Sequence, residues 1–209
     1  MDLSPLLLSL KVALTATALA TVTGLALAIL VTRVHFMGKT LLEAFLTLPL
    51  VLPPSVVGYY LLMIMGRDGP LGWLGWLFTW KAAVMASWIV ALPLMFRAAK
   101  SALESVDPSL EMVARTLGVP PWKAFLDVTL PLASRGITAG VILSFARALG
   151  EFGATLMVAG NIPGKTRTIP LAIYTAVQAN RMDTATFWVV ITVFLAFIFI
   201  LIVNKLQAR

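Results

Sequence analysis

The sequence contains no cysteine and only one histidine, His35. The absence of cysteine excludes disulfides, thiol redox chemistry and metals ligated by cysteine, and one histidine cannot form a histidine metal site within a single chain. Charged residues are also scarce: they make up 12% of the 209 residues, about half of the share that is usual in soluble domains. So few charges argue against an ordinary soluble enzyme and against a disordered chain.

The sequence also lacks the phosphate-binding loop with the pattern Gly-x-x-x-x-Gly-Lys-Ser/Thr, and it shows no nucleophile–base set and no cluster of metal ligands. We therefore expect a chain that is not an enzyme, does not hydrolyse ATP by itself and holds no cofactor. The net charge is +7, but no stripe of basic and aromatic residues accompanies it, so we expect no binding to nucleic acid. Membrane proteins collect such positive charge on their cytoplasmic loops.

Apolar residues, in contrast, are abundant and make up 60% of the chain. They are concentrated in five stretches, each near the length of about 20 residues that a helix needs to cross a bilayer. The sequence therefore predicts an all-α polytopic membrane protein with a single domain over residues 1–209. The five expected spans cover residues 6–34, 41–66, 81–104, 132–159 and 183–206.

The distribution of lysine and arginine indicates the orientation of these spans. An odd number of spans places the two termini on opposite sides, and most of the basic residues fall on inner loops if the N-terminus is outside. This agrees with the positive-inside rule, so we expect a bacterial inner-membrane protein with its N-terminus outside and its C-terminus in the cytoplasm. The apolar segment at residues 169–180 is too short for a sixth crossing, and we expect an outer or re-entrant helix there.

Two of the predicted spans contain residues that are unusual inside a membrane. Pro49, Pro53 and Pro54 must kink or break the second span. Broken helices often line a transport pathway, but a kink that serves packing alone fits the sequence equally well. Arg147 and Glu151 lie one helical turn apart in the fourth span, where single charges are costly. We expect these two residues to form a structural ion pair rather than a substrate contact.

The loop at residues 107–131 carries the most specific pattern of the chain. Asp107 is a good N-cap, Pro108 suits the first helical position and Gly118 suits the C-terminal stop, so the pattern predicts a short helix. One face of this helix is apolar and is formed by Leu110, Val113, Ala114 and Leu117. Such a helix either lies on the membrane surface or docks into a groove of a soluble partner.

The residues Ala114-Arg115-Thr116-Leu117-Gly118, followed by Val128-Thr129-Leu130-Pro131, resemble the EAA loop of permease subunits of binding-protein-dependent ABC importers. In that family the loop forms a coupling helix that sits in a cleft of the ATPase subunit, and the resemblance implies the MetI-like permease fold of type I importers. The Glu-Ala-Ala positions hold Met112, Val113 and Ala114 here, and the glutamate stands one place earlier, at Glu111. The ATPase-coupling residues that the resemblance implies are Leu110, Glu111, Met112, Val113, Ala114, Arg115, Leu117, Gly118, Leu130 and Pro131.

The segment from Arg147 to Tyr174 is similar over its whole length to molybdate permeases and resembles sulfate permeases more loosely. The resemblance implies an importer that moves molybdate or tungstate by alternating access. It also implies the partners of the chain in the lipid bilayer: a second copy of itself, two cytoplasmic ATPase subunits that bind ATP and Mg, and a periplasmic or extracellular molybdate-binding protein.

Two other functions remain open. The first is a sulfate or thiosulfate permease of the same importer class. The second is an ion-coupled secondary transporter, which would need ionisable groups inside the membrane and usually an internal repeat. The sequence offers Arg147 and Glu151 as clear candidates for such groups, and it shows no repeat.

Overall fold

The computed structural model describes residues 3–207, so that residues 1–2 and 208–209 of the expected domain lie outside the described residues. Over this range the chain is helical and contains no strand, as the sequence predicts. The α-helices are α1 (Ser4–Arg33), α2 (Lys39–Thr47), α3 (Pro54–Met65), α4 (Trp80–Glu104), α5 (Pro108–Thr116), α6 (Pro121–Ala124), α7 (Leu130–Leu149), α8 (Gly153–Ala159), α9 (Ile169–Gln178) and α10 (Met182–Gln207). Short 3-10 helices lie at Leu48–Leu50 and Gly72–Leu74, and a π-helix lies at Phe125–Thr129.

Helix α4 lies at the centre of the bundle, and α1 packs along it. The two helices run in the same direction, because Lys11 lies over the ring of Trp80 near their starts and Gly24 meets Met95 farther along. A Cβ added to Gly24 would lie 2.9 Å from the Met95 side chain. Small residues let two helix backbones approach this closely. The fully buried alanines that line the two helices are Ala13, Ala16, Ala20, Ala28, Ala82, Ala83, Ala86, Ala91 and Ala99.

Helix α7 packs against another side of α4 and runs in the opposite direction. A Cβ added to Gly136 would lie 2.6 Å from the Cβ of Ala102, and one added to Gly140 would lie 2.7 Å from that of Ala98. Side chains larger than glycine would therefore separate the two helices. The central core of the molecule thus consists of α1, α4 and α7 in close contact.

The two ends of the bundle are held by different contacts. At the end where α5 lies, called the α5 end below, the ammonium group of Lys100 donates to Glu43 at 2.6 Å and ties α2 to α4. At the opposite end, the backbone N–H of Ile169 donates to the hydroxyl of Ser9 at 2.7 Å and places α9 beside the start of α1. Helix α9 is about 15 Å long at 1.5 Å per residue, which is too short to cross a bilayer.

Three long apolar helices, α1, α4 and α10, lie within a few residues of the predicted spans 6–34, 81–104 and 183–206. The second predicted span, 41–66, is interrupted, as its prolines predict. It consists of two helical parts, Lys39–Leu50 and Pro54–Met65, that are bent by 110°. The cause is local: Pro53 has extended backbone angles (φ −54°, ψ 138°), and proline has no N–H with which to continue a helix.

The fourth predicted span, 132–159, is not one continuous helix. The helix that includes α6, the π-helix and α7 begins at Pro121, inside the predicted loop 107–131, and ends at Leu149. Proline is accepted in the first turn of a helix, so Pro121 starts this helix well before the apolar stretch begins. The helical structure is then interrupted at residues 150–152, and α8 is a separate short helix.

Candidate functional site

Helix α5 has the ends that the sequence predicts. The side chain of Asp107 accepts a hydrogen bond of 2.8 Å from the backbone N–H of Ser109, and Pro108 occupies the first turn. This N–H also holds the pKa of Asp107 below its ordinary value, because it stabilises the ionised carboxylate. Gly118 follows the helix with φ +88°, a left-handed conformation that favours glycine. A cap and a glycine stop thus define a short helix between two turns.

The apolar side of α5 faces away from the bundle, and no residue of the helix is buried. Val113 is 58% exposed and Leu117 is 80% exposed, whereas Ala114 is half-buried. Leu130 is half-buried and Pro131 is exposed, so these two predicted residues lie at the start of α7 rather than on the helix itself. The large exposed apolar side chains of this loop are Leu110, Met112, Val113, Leu117, Trp122 and Leu126. A group of apolar side chains in this setting is typical of a contact surface.

Glu111 has a partner that the sequence did not reveal. The guanidinium group of Arg33, at the end of α1, donates to both carboxylate oxygens of Glu111 at 2.9 and 2.7 Å. The hydroxyl of Thr129, in the π-helix, donates to the same carboxylate at 2.8 Å. Arg33 is the main reason why the pKa of Glu111 lies below its ordinary value, and the Thr129 hydroxyl adds to the effect. The sequence placed Glu111 on the coupling helix, but it gave no signal for a partner 78 residues away.

Arg147 and Glu151, which were predicted to pair, lie at the end of α7 and in the break that follows it. Arg147 donates to one carboxylate oxygen of Glu151 at 2.9 Å, and the backbone N–H of Ala154 donates to the other at 2.9 Å. The side chain of Glu151 is only 1% exposed, and that of Arg147 is 32% exposed. Glu151 therefore has two functions at once: it neutralises Arg147 and it caps the first turn of α8.

The proline-rich break of the second predicted span lies beside this second break. A Cβ added to Gly153 would lie 3.0 Å from the Cβ of Pro54, and one added to Gly58 would lie 2.9 Å from the sulfur of Met157. Helices α3 and α8 therefore pack side by side, and each begins where a longer apolar segment is interrupted. The structure thus brings together the region of Pro49, Pro53 and Pro54 and the region of Arg147 and Glu151, which the sequence could only treat separately.

Interrupted helices in a membrane need partners for the backbone groups that the break frees. Such breaks are tolerated where they are covered by protein or line a water-filled cavity, and transporters place binding sites at them. Within residues 3–207 the structure shows no group of three or more Asp, Glu, His or Cys side chains that could hold a metal ion. Among the described residues, the charged chemistry at the α7–α8 break is that of the ion pair between Arg147 and Glu151.

An all-helical bundle with two interrupted apolar segments packed side by side and an exposed apolar helix at one end is the architecture expected of a subunit of a membrane transport system. Residues 14–209 match the family described as binding-protein-dependent transport system inner membrane component. The chain belongs to this family and is an inner-membrane transport component.

Similar proteins of known name support this assignment. The chain is 48% identical to the molybdenum transport system permease protein ModB of Escherichia coli K12, over 94% of this chain and 89% of the relative. It is 43% identical to the putative molybdenum transport system permease protein YvgM of Bacillus subtilis, over 97% and 92% of the two chains. The sulfate transport system permease protein CysT of Escherichia coli K12 is 35% identical, over 89% of this chain and 69% of the relative.

Solved structures show the same fold at much lower sequence identity. A chain of a bacterial ABC transporter involved in the import of alginate has a TM-score of 0.74 and 17% identity, over 100% of this chain and 80% of that one. A chain of the MetNI methionine ABC transporter has a TM-score of 0.72 and 16% identity, over 97% and 94%. At these identities the likeness concerns the fold alone, and it confirms the expected type I ABC importer fold.

Proposed function

We propose that this chain is the permease subunit of an ATP-driven importer that moves molybdate, or the closely similar tungstate, across the inner membrane. The observation that carries the substrate assignment is the 48% and 43% identity to permeases named for molybdenum transport, over nearly the whole chain. Sulfate is the second candidate, and the lower identity and shorter overlap with CysT make it the weaker one.

Energy for transport comes from separate ATPase subunits, because the sequence has no phosphate-binding loop of its own. The exposed apolar face of α5 is the surface on which such a subunit docks, since an amphipathic helix typically binds with its apolar face in a groove. We infer that the exposed apolar residues of the expected coupling set, Leu110, Met112, Val113 and Leu117, contact the ATPase there. ATP binding then moves α5, and the spans change between inward-open and outward-open states.

One copy of the chain has too few spans to enclose a pathway, so two copies are expected around a two-fold axis. The α3–α8 contact, where the two breaks meet, is the element we assign to the pathway. Arg147 is neutralised there by Glu151, so this pair offers no net charge that would select an oxyanion. Selection therefore falls to a separate binding protein on the outer side, and the α5 end faces the cytoplasm.

The experiment is uptake of labelled molybdate into proteoliposomes that contain the permease, its ATPase subunits and the binding protein. The expected result is uptake that requires ATP inside the vesicles and that unlabelled tungstate inhibits far better than sulfate does. Uptake in which sulfate competes as well as tungstate would overturn the molybdate assignment. Uptake of equal rate without ATP, driven by an ion gradient, would instead support a secondary transporter.

A further inference from the structure

We propose that Arg33, Glu111 and Thr129 form a clamp that makes α5 move as one body with α1 and with the helix that leads into α7. These three residues are called the clamp below. The inference rests on the proposed function, because it concerns how a displacement of α5 by an ATPase subunit reaches the spans. It assigns Arg33 and Thr129 as positioning residues, which lie outside the docking surface.

The geometry of the clamp is specific. Each terminal nitrogen of Arg33 donates to a different oxygen of Glu111, which is the two-pronged arrangement that fixes both position and orientation. The hydroxyl of Thr129 donates to Glu111 and lies 3.3 Å from Arg33 as an acceptor, so the three side chains close a ring of hydrogen bonds. The guanidinium group also lies 4.6 Å from the centre of the Phe125 ring, within the range of a cation–π contact.

The clamp is needed because α5 has little other hold on the bundle. No residue of α5 is buried, so apolar packing contributes little to its attachment. The side chain of Glu111, in contrast, is only 13% exposed, and partial exclusion of water strengthens its contact with Arg33. Helix α5 thus has an outer apolar face, free for a partner, and an inner charged contact that ties it to the membrane part.

The helices that the clamp joins extend to the opposite end of the bundle and to the α7–α8 break. Arg33 ends α1, a helix of 30 residues that reaches the opposite end. Thr129 lies in the π-helix, which continues without a break through α7 to the ion pair between Arg147 and Glu151. Irregular π-turns inside α-helices are frequent at functional sites. A displacement of α5 therefore passes directly to α1 and to the α7–α8 break.

The first test uses the assembled complex of permease, ATPase subunits and binding protein in proteoliposomes. The measured quantity is the number of molybdate ions imported per ATP hydrolysed, which does not depend on how much complex assembles. For Arg33→Gln we expect this ratio to fall by about fivefold or more, the lower range of typical coupling effects. Thr129→Val, which replaces only the hydroxyl with a methyl group, should lower it less, and the swap Arg33→Glu with Glu111→Arg should restore part of it.

A matched control breaks an ion pair at the same end that does not contact α5. Glu43→Gln removes the nearer of the two carboxylates that Lys100 contacts, and we expect it to leave the ratio unchanged. An unchanged ratio in both Arg33→Gln and Thr129→Val would overturn the proposal. An equal fall in the Glu43→Gln control would do so too, since the effect would then be general to this end of the bundle.

A second test measures the rigid connection directly and needs no transported substrate. The chain has no native cysteine, so spin labels attach to it only at the two introduced cysteines, Ser109→Cys and His35→Cys. The distance between the two labels is then measured by pulsed electron paramagnetic resonance. We expect the distance between the two labels of one copy to be narrow and the same with and without ATP, and to be broadly distributed in the Thr129→Val and Arg33→Gln backgrounds. A distance that shifts with ATP in the otherwise unchanged permease would overturn the proposal, whether or not molybdate is the substrate.

Discussion

The backbone of Gly153 lies against the ring of Pro54, close enough that a Cβ on Gly153 would stand 3.0 Å from the Cβ of Pro54. Helix α3 begins at Pro54 and α8 begins at Gly153. The contact therefore joins the starts of two helices, each of which follows a break in an apolar segment. Gly58 extends the contact by one turn toward Ala154 and Met157. The break regions of two different segments of the chain thus form one packed unit.

This close packing predicts that Gly58→Ala destabilises the protein. The added Cβ would lie 3.0 Å from the backbone of Ala154, and overpacking of this kind costs about 1–3 kcal/mol. A lower melting temperature of the purified permease in detergent is the expected result. Gly150→Ala is the matched control, because its Cβ would meet its nearest neighbour at 3.7 Å. Equal melting temperatures for the two variants would show that α3 and α8 do not pack as described.

The ion pair at the α7–α8 break predicts an unequal effect of single substitutions. Arg147→Met leaves the carboxylate of Glu151 buried without its counter-charge, which costs about 3–5 kcal/mol at buried sites. Glu151→Gln leaves Arg147 without this partner, but Arg147 is partly exposed to solvent. We therefore expect this variant to lose less folded protein than Arg147→Met does. Combining the two changes should recover part of the folded yield that Arg147→Met loses. A double variant no better than Arg147→Met alone would contradict the pairing.

The depressed pKa of Glu111 sets the pH range over which the clamp is intact. Because Arg33 holds this pKa below the ordinary value of 4.5, the stabilisation is complete above that value and is lost as the pH falls through the depressed pKa. The labels at positions 109 and 35 should therefore give the same narrow distance at about pH 5 as at neutral pH.

The comparison variant for this experiment is Arg33→Gln, in which Glu111 loses the main cause of its depressed pKa. Asp107 on the same helix also has a lowered pKa, from the N–H of Ser109, and it titrates in both proteins. In Arg33→Gln the distance distribution should be broad at both pH values, because the clamp is already broken there. A distribution that broadens in the unchanged permease between neutral pH and about pH 5 would mean that Arg33 does not hold the pKa of Glu111 below its ordinary value.

The expected orientation predicts a labelling pattern for single cysteines. Ser109→Cys, at the α5 end, should react with a membrane-impermeant maleimide only in inside-out vesicles. Lys165→Cys, in the exposed segment before α9, should react in intact cells. Labelling of Ser109→Cys from outside intact cells would reverse the orientation and remove the docking surface from the cytoplasm.

The parts of the fold that the sequence predicts correctly are those with local signals. Asp107, Pro108 and Gly118 define α5 by capping, fixed φ and positive φ, each of which acts within a few residues. The prolines of the second span likewise predict a break, because a missing N–H is a local property. The length of an apolar stretch was sufficient to find α1, α4 and α10.

The parts that the sequence does not predict depend on contacts between distant segments. Nothing near Arg33 indicates that its partner is Glu111, 78 residues later. The prolines predict that the second segment breaks, but its 110° bend and the packing of α3 against α8 cannot be read from them. The break before α8 was missed because the apolar stretch continues through it, although Gly150 and Gly153 mark its place.

The central claim is that α5 couples this chain to an ATPase, and retention of the ATPase subunits on the purified permease tests it most directly. Gly118→Val forces a side chain into a left-handed conformation that costs about 1–2 kcal/mol, although the space around the glycine is open. Val113→Glu puts a charge on an exposed part of the apolar face, where we expect no effect on the fold because the side chain is not buried. Gly118→Asn is the control, because asparagine tolerates this conformation.

We predict that the permease with Gly118→Val or Val113→Glu inserts into the membrane normally but loses most of its ATPase subunits and its molybdate-stimulated ATP turnover, whereas Gly118→Asn keeps both. A helix that only lies on the membrane surface would give the opposite result. Full ATPase retention and turnover in both Gly118→Val and Val113→Glu would show that α5 is not the coupling element.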